Sequence, residues 1–462
     1  MRLPTRLALL TLCTATSVAG LRAEDTAADE KMLHSLYTAA LEKNPAYDNL
    51  SELVAKYPGR LSGSKNLEGA VLWAKGALEK AGADRTELQP VMVPHWERGP
   101  KESVRLVPAI LAGKAPVLSA VALGGSMPTP AGGLTASVVE LHSLDELKTT
   151  DVKGKIVFFN RPMNPAYINP GQSYGEAGDQ RNRGPAEAAK FGAVGVLTRS
   201  LTHAHDDVPH TGATTYLPDV PRIPAAALST VAADRLSAAL KADASLRVGM
   251  QINSQWFDDA PSHNVIGEIR GSEHPEQVIL VGGHLDSWDI APGAHDDGAG
   301  IVQSIEVIRL LKAVGYAPKH TIRCVCFVDE ENGTRGAAEY ARVVGEKQEV
   351  HLLALESDNG GFQSHGFQLG NTAGNASARA ARWSALFAPY GMTNFRDGRG
   401  GSDVGPLMAK GYAVGELLPE SQRYFDIHHT VEDSIDKVNP RELSLGAAAM
   451  ASLVYLVDQH GL

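Results

Sequence analysis

Residues 277–314 read "QVILVGGHLDSWDIAPGAHDDGAGIVQSIEVIRLLKAV" and hold one complete strand, loop and helix. The opening run "QVILVGG" is apolar on both faces, as in a strand that is covered on both sides of a sheet. Residues 299–314 repeat apolar side chains at the spacing of a helix. Between the two, residues 284–297 include two histidines and four aspartates. A hydrophobic core has no use for that mixture, so it predicts a functional site at the end of the strand.

The same alternation continues on both sides of this stretch. Strand-like runs lie at 263–271, 321–331 and 351–361, and a long apolar helix is predicted at 440–461. Strands that alternate with helices predict an α/β fold in which a mixed central sheet is flanked by helices. The final helix carries two acidic residues, so we expect it to pack on the sheet and not to span a membrane.

Composition restricts the classes of protein that the chain can belong to. It has 462 residues, 43% hydrophobic and 21% charged residues, and a net charge of −10. These values fit a folded protein with two domains, three being possible. Nucleic acid is not an expected partner, because phosphate binding needs basic patches. After the first 23 residues only Cys324 and Cys326 remain, and both are expected to be small buried side chains of one strand face.

The N-terminus has the features of a secretory signal peptide, predicted here for residues 1–23. Arg2 and Arg6 precede a short apolar run, and small residues allow cleavage after Ala19 or Ala23. A buried N-terminal helix is the alternative. Export to the periplasm or secretion is therefore expected. A glycan on the Asn332 sequon would block the acidic site described below, which favours a bacterial periplasm.

The pattern of predicted secondary structure changes within the remaining chain and divides it into two parts. Short β-type runs separated by turns occupy residues 112–253 and interrupt a larger predicted domain made of residues 24–111 and 254–462. The inserted segment has one group of potential metal ligands, at 203–207, which is interpreted as a solvated loop and not as a metal site.

Acids and histidines follow four predicted strands of the C-terminal part, where function collects in open α/β sheets. Two adjacent glutamates, or a His-x-Asp pair, are commonly solvated when they occur alone. Together, two histidines and three carboxylates at successive strand ends suit a pair of divalent cations. The mixed nitrogen and oxygen donors favour zinc, with cobalt or manganese possible. The acids and histidines at these strand ends and in the loop before the helix, ligands and neighbours together, are His284, Asp286, Asp296, Asp297, Glu330, Glu331, Asp358 and His429.

The motifs "GGHLDSWD", "GAHDDGAG", "DEENGTRGA", "ESDNGG" and "HHTVEDS" resemble those of the co-catalytic metallopeptidases of family M28. "PGRLSGSKNLE", "VPHWERG" and "PHTG" are similar to its carboxypeptidase Q-like branch, so the resemblance runs from about residue 50 to the C-terminus. It implies a zinc exopeptidase-like fold and identifies 112–253 as resembling an inserted protease-associated (PA) domain.

The resemblance also implies roles for the ligands. Asp296 would bridge two zinc ions, with His284 and Asp358 completing one and Glu331 and His429 completing the other. The bridging water would lose a proton near neutral pH and attack as hydroxide.

Further residues receive roles from the same resemblance. Glu330 would be the general base, and Asp286 would accept the free N–H of His284 and fix its tautomer. Asp297 is expected to brace the loop, although a shift of one residue would make it the bridge. Asp403 and Tyr424 are candidates for substrate binding, and for Asp403 a role behind the ligands is the alternative. The position of His428 is not a ligand in the family.

The function implied is a dinuclear zinc exopeptidase that hydrolyses dipeptides or short peptides with a free N-terminus. An amidohydrolase or a cyclase on the same two metals is an alternative, because the shape of the pocket selects the substrate. A non-catalytic receptor-like homologue is a third possibility, which the complete set of ligands disfavours. The resemblance further implies a homodimer.

Overall fold

A computed structural model describes residues 23–107 and 116–462. The predicted signal peptide, apart from residue 23, lies outside the described residues, and so does the predicted domain boundary at 112. The first part of the chain forms three helices and a long strand: α1 (Ala23–Leu41), α2 (Pro45–Lys56), α3 (Lys65–Ala81) and β1 (Arg85–Glu97).

A second unit follows, whose described residues form eight strands and four α-helices. Its elements are β2 (Ser103–Val107), β3 (Val117–Leu118), β4 (Ala120–Ala122), β5 (Leu134–Leu141), β6 (Ile156–Phe159), α4 (Pro170–Ala177), α5 (Asp179–Asn182), α6 (Gly184–Lys190), β7 (Gly195–Arg199), β8 (Ala225–Leu228), α7 (Thr230–Ala242) and β9 (Arg247–Gln251).

The rest of the chain returns to the first unit. Its elements are β10 (Gln255–Ile269), β11 (His274–His284), α8 (Ala299–Ala313), β12 (His320–Phe327), α9 (Arg335–Lys347), β13 (Val350–Glu356), β14 (Ser364–Gly370), α10 (Ala376–Ala380), α11 (Ser384–Phe387), β15 (Asn394–Asp397), α12 (Gly405–Met408), β16 (Val414–Pro419), α13 (Tyr424–Ile427) and α14 (Pro440–His460).

The first unit is built on one mixed eight-stranded sheet, in the order β1-β10-β12-β11-β13-β16-β14-β15. Its central strands β12, β11, β13 and β16 are parallel, so their carboxyl ends meet at one edge. Residues 278–281 of β11 are fully buried because helices cover both faces of the sheet. The predicted α/β architecture is therefore present, and this shared edge is where the site lies.

The last helix, α14, packs against α1 and α8 and is buried along most of its length. Its buried acid Asp458 accepts hydrogen bonds from the backbone N–H groups of Lys319 and His320, which satisfies the carboxylate inside the protein. None of the helices in the described part of the chain is both long and apolar enough to cross a membrane. Cys324 and Cys326 on β12 are buried and form no disulfide, as predicted.

The inserted unit has its own mixed sheet, in the order β3-β2-β9-β5-β6-β7-β8-β4, with a separate core on each face. Its first long strand, β2, begins at Ser103, before the predicted boundary, because "SVRLV" pairs antiparallel with β9. The loop at 203–207 is largely exposed, and His205 pairs with Asp234 at 3.0 Å, so this loop is solvated as predicted.

Candidate metal centre

The predicted ligands converge at the shared edge of the central sheet. His284 is the last residue of β11, Glu331 follows β12, and Asp358 follows β13. His429 follows the short helix α13, and Asp296 lies in the turn that leads into α8. Parallel strands deliver residues that are up to 145 positions apart to one place, as in other open α/β sheets.

Asp296 occupies the centre of the group. Its Oδ1 lies 3.2 Å from His284 Nε2, and His284 Nε2 lies 3.4 Å from Asp358 Oδ1. Its Oδ2 lies 3.2 Å from His429 Nε2, and His429 Nε2 lies 3.2 Å from Glu331 Oε2. Each oxygen of one carboxylate thus faces a different histidine and a different second acid.

The neighbouring acid, Asp297, points elsewhere. Its Oδ2 accepts from the backbone N–H of His284 at 3.1 Å, and its Oδ1 accepts from that of Gly300 at 2.9 Å. A side chain at position 283 or 300 would collide with this carboxylate, because an added Cβ would lie 2.2 Å and 2.5 Å from its oxygens. Asp297 therefore ties the strand end to the start of α8.

Both histidines are oriented through Nδ1. His284 Nδ1 donates to the backbone carbonyl of Asp286 at 3.0 Å, and His429 Nδ1 donates to that of Thr211 at 3.3 Å. A proton on Nδ1 leaves the lone pair on Nε2, which is the arrangement found in metal-binding histidines. His429 also has a left-handed backbone, with φ 62°, which a non-glycine residue rarely adopts and which often marks functional sites.

Asp286 differs in one respect from the sequence-based expectation. Its carboxylate is 3.8 Å from His284 Nδ1, beyond hydrogen-bond range, and the main-chain carbonyl of the same residue takes that N–H. The carboxylate instead accepts from the backbone N–H groups of Glu330 and Glu331, at 3.1 and 3.2 Å. It is held there because the turn after β12 directs these two donors at it. Asp286 therefore positions both glutamates.

The donors fit divalent cations. Asp296 Oδ2 and Glu331 Oε1 are buried and have no hydrogen-bond partner within the described chain. The Nε2 lone pairs of the neutral histidines face carboxylate oxygens, so acceptors face acceptors across 3.2–3.4 Å. A cation between them would satisfy these acceptors. In the ion-free site protons on the histidines take its place: burial would lower the pKa of both rings, but the facing carboxylates outweigh it and raise both pKa values.

Charge in the ion-free site leads to the same conclusion. Burial raises the pKa of Glu331 to about 8 and the pKa of Asp358 to about 6. Burial disfavours a charged His284, yet Asp358 and Asp296 outweigh it and raise its pKa well above the ordinary value. The cluster takes up protons because it lacks positive charge, and bound cations would supply that charge and reverse these shifts.

His428 is a further potential ligand. Its ring stacks on His429 at 3.5 Å, and its Nε2 lies 3.4 Å from Asp296 Oδ2. Among the described residues there are two groups of three potential ligands, and within each group the ligand atoms lie within 4.8 Å of one another. One group is Asp296, His428 and His429, and the other is His284, Asp297 and Asp358. In the family that the motifs resemble this position is not a ligand, whereas in the structure His428 is close enough to Asp296 to be one.

A cleft of about 610 Å³ opens onto the cluster. Glu330 is half-buried in its wall and Tyr424 also lines it, whereas Asp403 lies outside the lining. Both carboxylate oxygens of Asp403 are buried without a hydrogen-bond partner in the part of the chain described. Tyr424 is thus placed to touch a substrate, and Asp403 stands behind the wall.

Sequence reasoning missed several residues of this cleft. Arg181 and Tyr174 come from the inserted unit, and Glu416 comes from the middle of β16. An acid inside the apolar run "VGELLP" is a signal that could have identified Glu416. Arg181, in the polar segment "DQRNRG", carries no such signal.

Two buried side chains outside the cleft hold the ligand loops. The Arg60 guanidinium donates to the carbonyls of Pro292 and Gly293, each at 2.8 Å. Asp433 accepts from the backbone N–H groups of His295 and Asp296, at 2.7 and 3.1 Å. The loop before α8 is therefore fixed from both sides.

A larger cavity, of about 790 Å³, lies along β1 and β10, away from this cluster. One of its cations, Arg323, is already paired with Glu268 and Glu349, each at 2.7 Å. None of the described residues that line it has a buried side-chain nitrogen or oxygen without a hydrogen-bond partner, so the strand-end cluster is the candidate site.

Comparison with known proteins identifies relatives along nearly the whole chain. The model of Peptidase family M28 matches residues 264–454. The chain is 35% identical to carboxypeptidase Q of Homo sapiens, over 92% of this chain and 88% of that protein. It is 36% identical to carboxypeptidase Q of Xenopus laevis, over 90% of this chain and 86% of that protein.

Solved structures agree with these matches. A peptidase M28 precursor from Shewanella amazonensis SB2B superposes with a TM-score of 0.87 at 32% identity, covering 94% of this chain and 97% of that one. A zinc aminopeptidase from Bacillus subtilis superposes with a TM-score of 0.64 at 21% identity, covering 89% of this chain and 93% of that one. At that identity the second match is evidence for a shared fold alone.

Proposed function

Because the chain belongs to peptidase family M28 and is a metallopeptidase, we propose that it is an exported dinuclear zinc exopeptidase acting on dipeptides or short peptides with a free N-terminus. One observation carries the proposal. The two oxygens of Asp296 face His284 and His429 separately, each at 3.2 Å, which is the arrangement that a carboxylate shared by two cations requires.

Five residues would hold the two ions. Asp296 would bridge them, His284 and Asp358 would complete one, and Glu331 and His429 the other. The distances between these atoms support this division, and so do the roles that Asp297 already has in hydrogen bonding to the backbone. Zinc suits the mixed nitrogen and oxygen donors, with cobalt or manganese as alternatives.

When bound, two such cations would lower the pKa of a water and polarise the scissile carbonyl. Glu330 is the group that moves the proton. Its carboxylate lines the cleft, while its backbone N–H is anchored on Asp286 Oδ1 at 3.1 Å. It takes the proton from the attacking water and delivers it to the leaving nitrogen, first as base and then as acid.

Recognition of a free N-terminus is assigned to the acidic side of the cleft. Glu416 lines the cleft, is 7% exposed, and accepts from the amide groups of Asn359 and Gln368. Asn359 directly follows Asp358, so a substrate ammonium held by Glu416 would lie beside the proposed metal pair. An acylated N-terminus has no positive charge to compensate this buried carboxylate.

Two further residues have supporting roles in the proposal. Tyr424 is buried and lines the cleft, and its hydroxyl would contact the substrate. Asp403 would act from behind the wall, where its backbone N–H is anchored on Glu356, and where burial and the Glu356 carboxylate raise the pKa of its side chain well above the ordinary value, so that it stands there as a neutral acid.

Export and dimerisation also belong to the proposal. A cleaved signal peptide would deliver the enzyme to the periplasm or the medium, and mass spectrometry of the mature N-terminus tests this. A homodimer would cover the exposed apolar side chains at the far end of the β1–β10 pair, where Met92 is 52% and Phe257 39% exposed. Light scattering of the purified protein measures the oligomeric state.

Kinetics on a matched substrate panel test the activity. Free dipeptides, their N-acetylated forms and simple blocked amides are compared with zinc-loaded enzyme. We expect hydrolysis of the free dipeptides and a large loss on acetylation, a loss that Glu416→Gln diminishes. Equal rates on free and acetylated dipeptides would contradict the free-amine specificity, and activity confined to blocked amides would favour the amidohydrolase alternative.

A further inference from the structure

Arg181 is the one lysine or arginine among the described residues that line the cleft, and it comes from the inserted unit. The same wall carries five carboxylates, those of Asp296, Glu330, Glu331, Asp358 and Glu416. All except Glu416 belong to the proposed metal and catalytic groups. The cleft therefore contains one cationic side chain, Arg181, that has no role in the proposed metal binding or proton transfer.

The guanidinium of Arg181 has no acidic partner within ion-pair distance in the described chain. Its Nη2 donates to the Tyr174 hydroxyl at 2.6 Å, and its Nη1 donates to the carbonyl of Thr211 at 3.4 Å. Its Nε is buried and has no hydrogen-bond partner among the described residues. A partly buried cation without a counter-charge is costly, so a ligand that supplies an anion here gains affinity.

The guanidinium is also held in place. An added Cβ on Gly212 would lie 2.4 Å from Arg181 Cζ, so the flat group rests directly on the backbone of that residue. The same guanidinium carbon lies 5.1 Å from the Tyr174 ring centroid. A fixed guanidinium is suited to a planar carboxylate, because two parallel N–H groups match its two oxygens.

Arg181 stands close to the metal cluster. The Tyr174 ring on which it rests lies 5.1 Å from the ring of His428, and His428 Nε2 lies 3.4 Å from Asp296 Oδ2. Glu416 accepts from the side chain of Asn359, the residue after Asp358, whereas Arg181 donates to Tyr174, whose ring contacts that of His428. The cleft thus has an acidic side chain, Glu416, near one half of the cluster and a positively charged side chain, Arg181, near the other half.

We propose that Arg181 binds the C-terminal carboxylate of the substrate and so gives the enzyme a preference for dipeptides over longer peptides. The inference rests on the proposed exopeptidase function. In a dipeptide the free carboxylate lies one residue, about 3.6 Å, beyond the scissile bond. In a longer peptide a neutral amide stands at that place and leaves Arg181 without a counter-charge.

The test compares a dipeptide, its C-terminal amide and the tripeptide that extends it by one residue. Wild-type enzyme is expected to prefer the dipeptide to its amide by about 10–100-fold in kcat/KM, the value of a charge-assisted hydrogen bond. Arg181→Gln should lose that factor on the dipeptide, mostly through KM, and change little on the amide. Arg181→Lys, which keeps the charge but not the paired N–H groups, should fall between the two.

Arg183→Gln is the matched control, since this exposed arginine lies two residues away in the same segment. It should behave as wild type. Binding gives a second readout: in the inactive Glu330→Gln background, calorimetry should show dipeptide affinity falling about 10–100-fold when Arg181→Gln is added. Zinc content and melting temperature of each variant report whether the fold survives.

The outcomes separate this inference from the proposed function. If wild-type enzyme cleaves no peptide, the proposed function fails. If it cleaves dipeptides and their C-terminal amides equally well, the Arg181 inference alone is overturned, whatever the variants do. It is also overturned if Arg181→Gln reduces dipeptide and amide turnover by the same factor.

Discussion

Thr211 and His429 form two hydrogen bonds with each other, although they belong to different units of the chain. The Thr211 backbone N–H donates to the His429 carbonyl at 3.0 Å, and His429 Nδ1 donates to the Thr211 carbonyl at 3.3 Å. The inserted unit therefore sets the tautomer and the orientation of a proposed metal ligand. It contributes to the centre itself as well as to the cleft above it.

Removing one of these bonds should weaken metal binding. Thr211→Pro lacks the backbone donor, and we expect the affinity of one zinc ion to fall about 10–100-fold, as for other losses of support behind a ligand. Thr211→Ser keeps the backbone and the hydroxyl and is the control. Competition with a chelator measures the affinity, and an unchanged value in a folded Thr211→Pro variant would contradict the role assigned to this pair.

The two adjacent aspartates should respond differently to substitution. Asp296→Asn removes the charge that both ions would share, so we expect both to be lost. Asp297→Asn disturbs only the bonds to the backbone of residues 284 and 300, so it should keep two ions and lower the melting temperature. Metal analysis after gel filtration distinguishes these outcomes, and the reverse pattern would make Asp297 the bridge.

Arg60 should be needed for the stability of the ligand loop. Arg60→Met leaves the buried carbonyl of Leu285 and the partly buried carbonyl of Pro292 without their Arg60 donor, and each buried acceptor left unpaired costs about 1–3 kcal/mol. We expect denaturant titration to show that the free energy of unfolding falls by at least about 2 kcal/mol, which is twice the lower limit for one unpaired acceptor. Arg85→Met, at an exposed arginine, is the control, and equal stability of both variants would contradict this role.

His351 should make the fold sensitive to acid independently of the metal centre. Burial, with a contribution from Arg323, lowers its pKa to about 4, and its Nε2 accepts from the Tyr340 hydroxyl at 2.9 Å. An unfolded histidine titrates near 6.5, so the folded state loses stability as the pH falls from about 6.5 to 4. The loss is about 3 kcal/mol.

The measurement is the free energy of unfolding against pH for wild type and His351→Gln. The variant should show a shallower decline over this range, while the metal site contributes equally to both proteins. His205→Gln, at an exposed histidine, should follow wild type. Parallel wild-type and His351→Gln curves would show that this side chain does not titrate as described.

The fold class and most of the proposed ligands could be predicted from the sequence, because they depend on the periodicity of apolar residues and on polar residues that directly follow strands. The apolar run before His284 marks a central strand, and the family resemblance drawn from such motifs is confirmed by relatives that cover most of the chain. The fold class follows from the same alternation of strands and helices. Acids directly after predicted strands were visible without a structure.

What could not be predicted depends on contacts between distant segments. Whether residue 296 or 297 faces the cluster is decided by backbone donors at 284 and 300, which no local pattern reveals. Arg60 lies in a turn-rich segment, and its partners are more than 200 residues away. Arg181 reaches the cleft because the inserted unit contacts the segment of His429, as the hydrogen bond from Thr211 shows.

The most direct test of the account is the zinc content of the purified enzyme together with the activity of Glu330→Gln. Because Glu330 is a proton carrier and not a ligand, the variant should hold two zinc ions per chain, as the wild type does. Its kcat on a free dipeptide should fall by at least the factor of about 10²–10⁴ that general acid–base catalysis contributes. Zero or one zinc ion in the wild type, or full activity in the variant, would contradict the dinuclear scheme.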